Sequence, residues 1–456
     1  MYGLRRSRVL FFAVVLLIST ALLGANTTIG PDTIFEDGFE TGDVSGWTLA
    51  FDSCGDDLAN GTEQCDGTDL GGLTCAALGF SGGGNPQCTT CCTAATITCA
   101  GDHAIGYERI AQTLHTGDLT RLRWHRSGRF ALILTDSDTV LRYDADTSLV
   151  SVAADLGATA LPADIDASWN GERFLIVGSD LGVGKIWPVA VATGDVLSFP
   201  PPITLSSGTP VAVAAQPRGG REWAIAIRTA VSTTNYIGLW NAIDGLHTEV
   251  GYNATAGVWD LMWRQMTLFG TADEVVISLG WNGADSKTFE IDTGLVVGNG
   301  WPPSHGNAGG AGWRGCAGTY GMFTGWSSNK VYVYDGTWVL TTLPGTPLAP
   351  WSVGWRSDGT RALVVGDAGG SPLQASVRDH QAGMTTTYDD TTWVDAAIPN
   401  FDQSPWFGNN SQWLFDVDWQ PQSDCDGGLI VGTDDGTPGF GLLIRFYDSG
   451  DADCLP

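Results

Sequence analysis

Fifty acidic residues, ten cysteines and six histidines are the side chains of this sequence with chemistry to offer, and spacing sorts them. The histidines, at 103, 115, 125, 247, 305 and 380, are scattered, with none at metal-ligand spacing. No Gly-x-Ser-x-Gly elbow, Walker loop or zincin helix occurs. Paired carboxylates need no sequence proximity, so a carbohydrate-active hydrolase or lyase built from two distant Asp is the alternative to a binding protein. The sequence identifies no catalytic residue, and a binding or scaffold role is the main expectation.

Asp supplies most of the acid, and Asp is a turn former. Asp136 and Asp138, Asp180, Asp285, Asp367, and Asp434 with Asp435 fall on short turns, with Asp118 and Asp164 expected just before strands on the same side. Several carboxylate oxygens on one face suit a hard cation, so Asp136, Asp138, Asp434 and Asp435 are candidate Ca²⁺ ligands. No single turn has the full spacing of an EF-hand loop, and plain turn chemistry is the competing explanation. No cofactor other than Ca²⁺ is implied. A second candidate is aromatic: Trp393, Phe401, Trp406, Phe407 and Trp413 cluster where the chain swells between Arg378 and Trp413. Clustered rings on a long loop suit a glycan or a protein hot spot, although an elaborated outer strand would use them equally.

These groups are positioned by a repeat. Trp355 to Gly366 reads WRSDGTRALVVG, Trp124 to Leu134 reads WHRSGRFALIL, and Trp169 to Gly178 reads WNGERFLIVG. Looser copies begin at Ala215, Trp263, Trp313 and Trp419, giving spacings of 45, 46, 48, 50, 42 and 64 residues. Units of this length built of short strands predict propeller blades. Period-two alternation puts Phe415, Val417 and Trp419 on one strand face, likewise Trp351, Val353 and Trp355, and Ile165, Ala167 and Trp169, with the tryptophans packing between blades. The last repeat lacks an outer strand, which Tyr107 to His115 is expected to supply. Turns after the first strands carry arginines such as Arg129 and Arg361, and turns after the third strands carry Asp144, Asp146 and Asp195 on the same rim. Mutual pairing is the expected role of these charges.

The 456 residues carry 22 basic against 50 acidic groups, a net charge of −28, which argues against nucleic acid as a partner. Arg5, Arg6 and Arg8 precede an apolar run from Val9 to Leu23 and then Gly24-Ala25, the order of a secretory signal; an uncleaved anchor is the alternative. No later run is long enough to span a membrane, so the expected address is secreted or cell surface. Seven cysteines between Cys54 and Cys99, in a stretch with little core, point to disulfides and support export. Zinc at Cys88, Cys91 and Cys92 lacks a neighbouring pair of His ligands. Cys425 and Cys454 flank the last repeat's strands on one rim and are expected to bond.

Three resemblances follow. Ile34 to Trp47 (IFEDGFETGDVSGW) resembles a phrase near the mature N-termini of many secreted bacterial proteins. The run CGDDLANGTEQCDG from Cys54, followed by Leu70 to Cys75 and Leu78 to Phe80, resembles the Cys-rich repeat of myxobacterial secreted and surface proteins. That resemblance implies a disulfide set of Cys54, Cys65, Cys75, Cys88, Cys92 and Cys99 and suggests a spacer or attachment role; Cys91, beside Cys92, is extra to the pattern and Cys316 is the odd cysteine of the large domain, which leaves open whether one or both thiols are free. The repeats, with Tyr143-Asp144, Trp240-Asn241, Tyr334-Asp335 and Tyr447-Asp448 closing third strands, resemble WD40-like bacterial propellers.

The expected organisation is a signal peptide over 1–25, a linker or hairpin over 26–50, a disulfide module over 51–101 and a propeller over 102–456. The fold class is all-β, a seven-bladed propeller behind a small disulfide-rich module. The expected role is recognition of a protein or glycan ligand, with the acidic rim and the 378–413 insertion, rather than the central channel, as the functional surface.

Overall fold

A computed structural model describes isolated residues between 59 and 95, residues 105–168 and 171–215 continuously, and beyond 215 the strands as far as 448 with a few adjoining residues. The signal, the 26–50 segment, Cys54, Cys91, Cys92, Cys99, Cys316, Cys425 and Cys454 lie outside the described residues. Within the expected disulfide module, Cys65 is bonded to Cys88, and Cys75 is also in a disulfide. A two-residue ribbon pairs Gln87–Cys88 with Ala94–Ala95. No helix among the described residues is long and apolar enough to cross a membrane.

From residue 105 the described strands form an all-β propeller. They make seven antiparallel sheets of four or five strands, six of them laid down in chain order from the innermost strand outward and the last closed by a strand from the start of the domain. The innermost strands are Leu119–Trp124, Ala160–Ala167, Thr209–Ala215, Val258–Trp263, Ala308–Trp313, Ala349–Trp355 and Gln412–Trp419. Burial in the first sheet shows why the sequence folds this way. Its second strand, Phe130–Thr135, is buried at every position. The third, Thr139–Asp144, alternates, and the outermost, Leu149–Asp155, is mostly exposed. A strand covered on both faces reads as a continuous apolar run, whereas one at the periphery has no neighbour to bury against.

The cores lie between sheets. Phe130 and Leu132 of the first sheet pack with Ile165 and Phe174 of the second. Leu175 and Val177 of the second meet Val213 and Trp223 of the third. Leu363 and Val365 of the sixth join Leu414 and Val417 of the last, whose Leu429 and Val431 pack on Leu122 and Ile133 of the first.

The last sheet is completed from the other end of the domain. Ile105–Arg109 pairs antiparallel with Gly441–Asp448, Ile105 opposite Asp448 and Arg109 opposite Ile444. The expected strand from Tyr107 to His115 is therefore shifted: it starts at Ile105 and stops at Arg109. Beyond it Gln112 turns inward, its side-chain amide donating to Gly441 O at 3.1 Å and its carbonyl accepting from the backbone of Leu114 and His115. Deleting residues 103–116 is expected to lower the melting temperature of the whole propeller, because it bares the edge of Gly441–Asp448 and removes buried Ile110 from the core. Calorimetry of the deletion variant checks this; an unchanged melt contradicts it.

Every innermost strand carries a register shift against its neighbour, at Leu119/Arg121, Pro162/Asp164, Pro210/Ala212, Val258/Asp260, Ala308/Ala311, Pro350/Ser352 and Leu414/Asp416. These bulges interrupt the period-two faces expected from sequence. Val353 and Val417 are buried as expected, but Trp351 and Phe415 sit at the bulges and are only half-buried. The second repeat is also displaced by two residues. Ala167 pairs with Phe174 where Trp124 pairs with Ala131, so Ala167 holds the repeat position and Trp169 falls outside the described residues.

Candidate functional site

The channel-facing edge of an innermost strand has no further strand to pair with, so its amides need other acceptors. Carboxylates of the preceding sheet supply them in a regular pattern. Asp416 accepts the amide of Leu122 at 3.0 Å and Asp418 that of Trp124 at 3.1 Å. Two sheets on, Asp164 accepts from Val213 at 2.9 Å and Asp166 from Ala215 at 2.7 Å. In each case the carboxylates stand three and one residues before the repeat position, the first of them just after the bulge. The bulge re-aims the strand there.

The first sheet has Arg121 and Arg123 at the corresponding places. Arg123 lies 3.3 Å from both Asp166 and Asp416, and Arg121 lies 3.6 Å from Asp164. The two guanidiniums thus bridge the last and second sheets across the first. Ser352 adds a hydroxyl bond to Asp416 at 2.7 Å. Burial drags the Arg123 guanidinium toward neutrality, but the surrounding carboxylates, Asp416 foremost, outweigh it and hold its pKa well above the ordinary value. Burial pushes Asp164 and Asp166 up against the pull of the arginines, and pushes Asp418 up to about 7. The fifth and sixth sheets place Gly310, Gly312, Ser352 and Gly354 in line with these charges, and the space between is a cavity of about 190 Å³. Trp351 and Phe415 stand edge to face on its wall, 5.9 Å apart.

The repeated tryptophans are packing residues, as expected, with a second task. Trp124 Nε1 donates to Asp418 O, Trp355 to Gly312 O and Trp419 to Gly354 O, each tying one sheet to the one before. The residue after the repeat position reaches the other way. His125 bonds Gly171 O at 2.6 Å and Gln420 donates to Gly128 O at 2.7 Å. Both acceptor glycines have positive φ, and a Cβ on Gly128 would lie 2.1 Å from Pro421 O, so a side chain fits neither the backbone nor the contact. His125 is thereby a structural bridge, further stacked on Phe130 at 4.6 Å.

The expected site residues fall on other parts of the fold. Asp164 is corrected: it is 4 % exposed inside the second sheet's first strand, and faces Arg121 rather than a turn. Asp136 is on an exposed turn, 2.7 Å from His115 Nε2. Asp138 is on the same turn and Asp180 begins the next, accepting from Thr159. Asp434 ends the strand Gly428–Asp434, while Asp435 lies outside the described residues. Among the described residues no three His, Cys, Asp or Glu side chains are grouped to hold a metal ion. Trp393 is in the outermost strand of the sixth sheet, opposite His380, and Trp413 is in the last innermost strand, opposite Thr433. Phe401, Trp406 and Phe407 lie outside the described residues. On the opposite rim Arg129 pairs with Asp195 at 2.8 Å and with Asp146 at 3.6 Å, as the mutual-pairing expectation has it. Sequence reasoning missed Arg121, Arg123, Asp166, Asp416 and Asp418, whose one signal is charge at alternate positions of LTRLRW, ADIDA and FDVDW.

No family model and no curated protein matches the chain. Solved structures do. One described as the structure of U3-55K is similar over 74 % of this chain and 98 % of its own, with a TM-score of 0.52 and 11 % identity. A second, the WD40 repeats of RRP9, covers 75 % and 97 % at the same TM-score and identity. At that identity the likeness is one of fold: a WD40-repeat type of β-propeller.

Proposed function

We propose that the chain is an exported binding protein, its seven sheets the seven blades of one ring, which presents the rim bearing Asp136, Asp138 and Asp180 to a protein partner. One observation carries the reading. The channel carboxylates are each committed to an amide of the neighbouring blade, whereas among the described residues the rim carboxylates Asp136 and Asp180 meet His115 and Thr159. A channel so occupied works as a structural hub, and the recognition surface is left to the turns. Rigid strands carrying short exposed turns suit that division.

The extracytoplasmic address rests on the Arg5 to Ala25 segment and on the bonded cysteines. The carbohydrate-active alternative draws on one feature, the burial that raises the Asp418 carboxyl to about 7 beside a cavity, as a general acid working near neutrality requires. The test places a photo-crosslinking residue at position 138 and, separately, at exposed position 172 on the opposite rim, in the protein as released by its producing cell. A discrete protein adduct is expected from 138 and none from 172. Adducts from 172 alone overturn the reading.

A further inference from the structure

The second sheet ends on this rim in a two-residue turn: Asp180 pairs with Val183, and Leu181 and Gly182 form the bend with φ of 51° and 77°. Two successive left-handed residues make the tight hairpin turn that follows the twist of the strands, and its first bend position favours Asn, Asp or Gly. Leucine is a poor choice there, because its Cβ crowds the backbone at positive φ. Nor does burial compensate, since Leu181 is 78 % exposed. The position is wrong for leucine by both turn geometry and solubility.

It does not stand alone. Leu161 is 57 % exposed and Val183 45 %. Val183 lies opposite Asp180 and so shares the sheet face of Ala160, which packs toward the first sheet, whereas Leu161, opposite Ser179, projects from the other face. The surrounding charge is acidic. Asp155 is exposed, Asp180 flanks the turn, and Asp138 lies on the adjoining turn, whose backbone carbonyl accepts the amide of Leu156. The nearest base along the strand, Lys185, is engaged with Thr204.

Resting on the rim reading above, we propose that Leu181, with Val183, is the apolar anchor of a docking site for a partner polypeptide segment that carries an apolar side chain flanked by Lys or Arg. Charge selects this occupant. A second copy of a chain of net charge −28 would bring carboxylates against carboxylates, and an anionic lipid surface would be repelled likewise. A basic segment gains from the rim and an apolar side chain from Leu181 and Val183, the arrangement of a central anchor with a charged surround.

Leu181→Asn separates docking from folding, because Asn suits the turn. The full mature protein is titrated with labelled peptides of alternating Lys and Leu, alternating Lys and Ser, and alternating Glu and Leu. Expected are saturable binding of the Lys-Leu peptide alone, at least tenfold weaker binding to L181N, and an equal or higher melting temperature for L181N. Val183→Thr, which keeps the β-branched shape, is the second variant, expected to weaken binding in the same direction. Equal binding of the Lys-Leu peptide to parent and both variants, or equal binding of the Lys-Ser peptide, overturns the proposal. A crosslinked adduct at position 138 that persists undiminished in L181N overturns it too, while leaving the rim reading in place; absence of that adduct from the parent overturns the rim reading itself.

Discussion

Asp416→Ala is expected to cost about 3–5 kcal/mol of stability, the range for removing one partner of a buried, hydrogen-bonded charge pair. Four donors converge on that carboxylate: the amides of Leu122 and Val417, the hydroxyl of Ser352 and the guanidinium of Arg123. Its removal orphans an amide and leaves Arg123 with one counterion fewer in a largely enclosed place. For a domain of this size the melting temperature is expected to fall by roughly 10 °C. Asp416→Asn keeps an acceptor and loses only the charge, so its loss is expected to be smaller. Asp138→Ala, on the rim, is expected to stay within about 0.5 kcal/mol of the parent. Melts of the three variants check the ranking, and an Asp416→Ala loss no larger than that of Asp138→Ala contradicts the hub.

Asp418→Asn is expected to act in the opposite direction, by an amount that grows as pH rises from about 4 to about 7. The carboxyl titrates near 3.8 when free and near about 7 in the fold. Between those values the folded state binds more protons than the unfolded one, so the contribution of Asp418 is fully present below about pH 4 and is lost as pH rises to about 7. Each pKa unit corresponds to about 1.4 kcal/mol, and since Asp418 keeps part of its surface in solvent, roughly 2 kcal/mol is the expected recoverable effect. Asn is neutral at every pH and still accepts the Trp124 amide. The variant should match the parent near pH 4 and exceed it by that amount at pH 8. A gap of constant size across the range would show that ionisation is not its cause.

The parts of the fold legible in the sequence were those set by one strand and its immediate turn. Trp124, Trp355 and Trp419 recur because each fills the same interface, and a recurring large apolar residue is visible without coordinates. The Arg129 and Asp195 pairing was legible for the same reason, each recurring on its own class of turn. What stayed hidden depends on two chains of the ring at once. A bulge leaves no composition mark, so Trp351 read as core while it lines a cavity. Asp164 looked like a turn acid because the amide it serves, that of Val213, is 49 residues away. LTRLRW and FDVDW each carry charge at alternate positions, but nothing within either shows that the charges of one answer the other.

The pairing of Ile105–Arg109 with Gly441–Asp448 has a consequence for how the molecule is made. The bond from Gln112 to Gly441 spans 329 residues, so the strand Ile105–Arg109 waits for a partner synthesised after the strands of the other six sheets. Until then the growing chain is an open arc with two bare ends, and contacts of such long range form slowly. Closure then joins the two ends of the domain at a single seam.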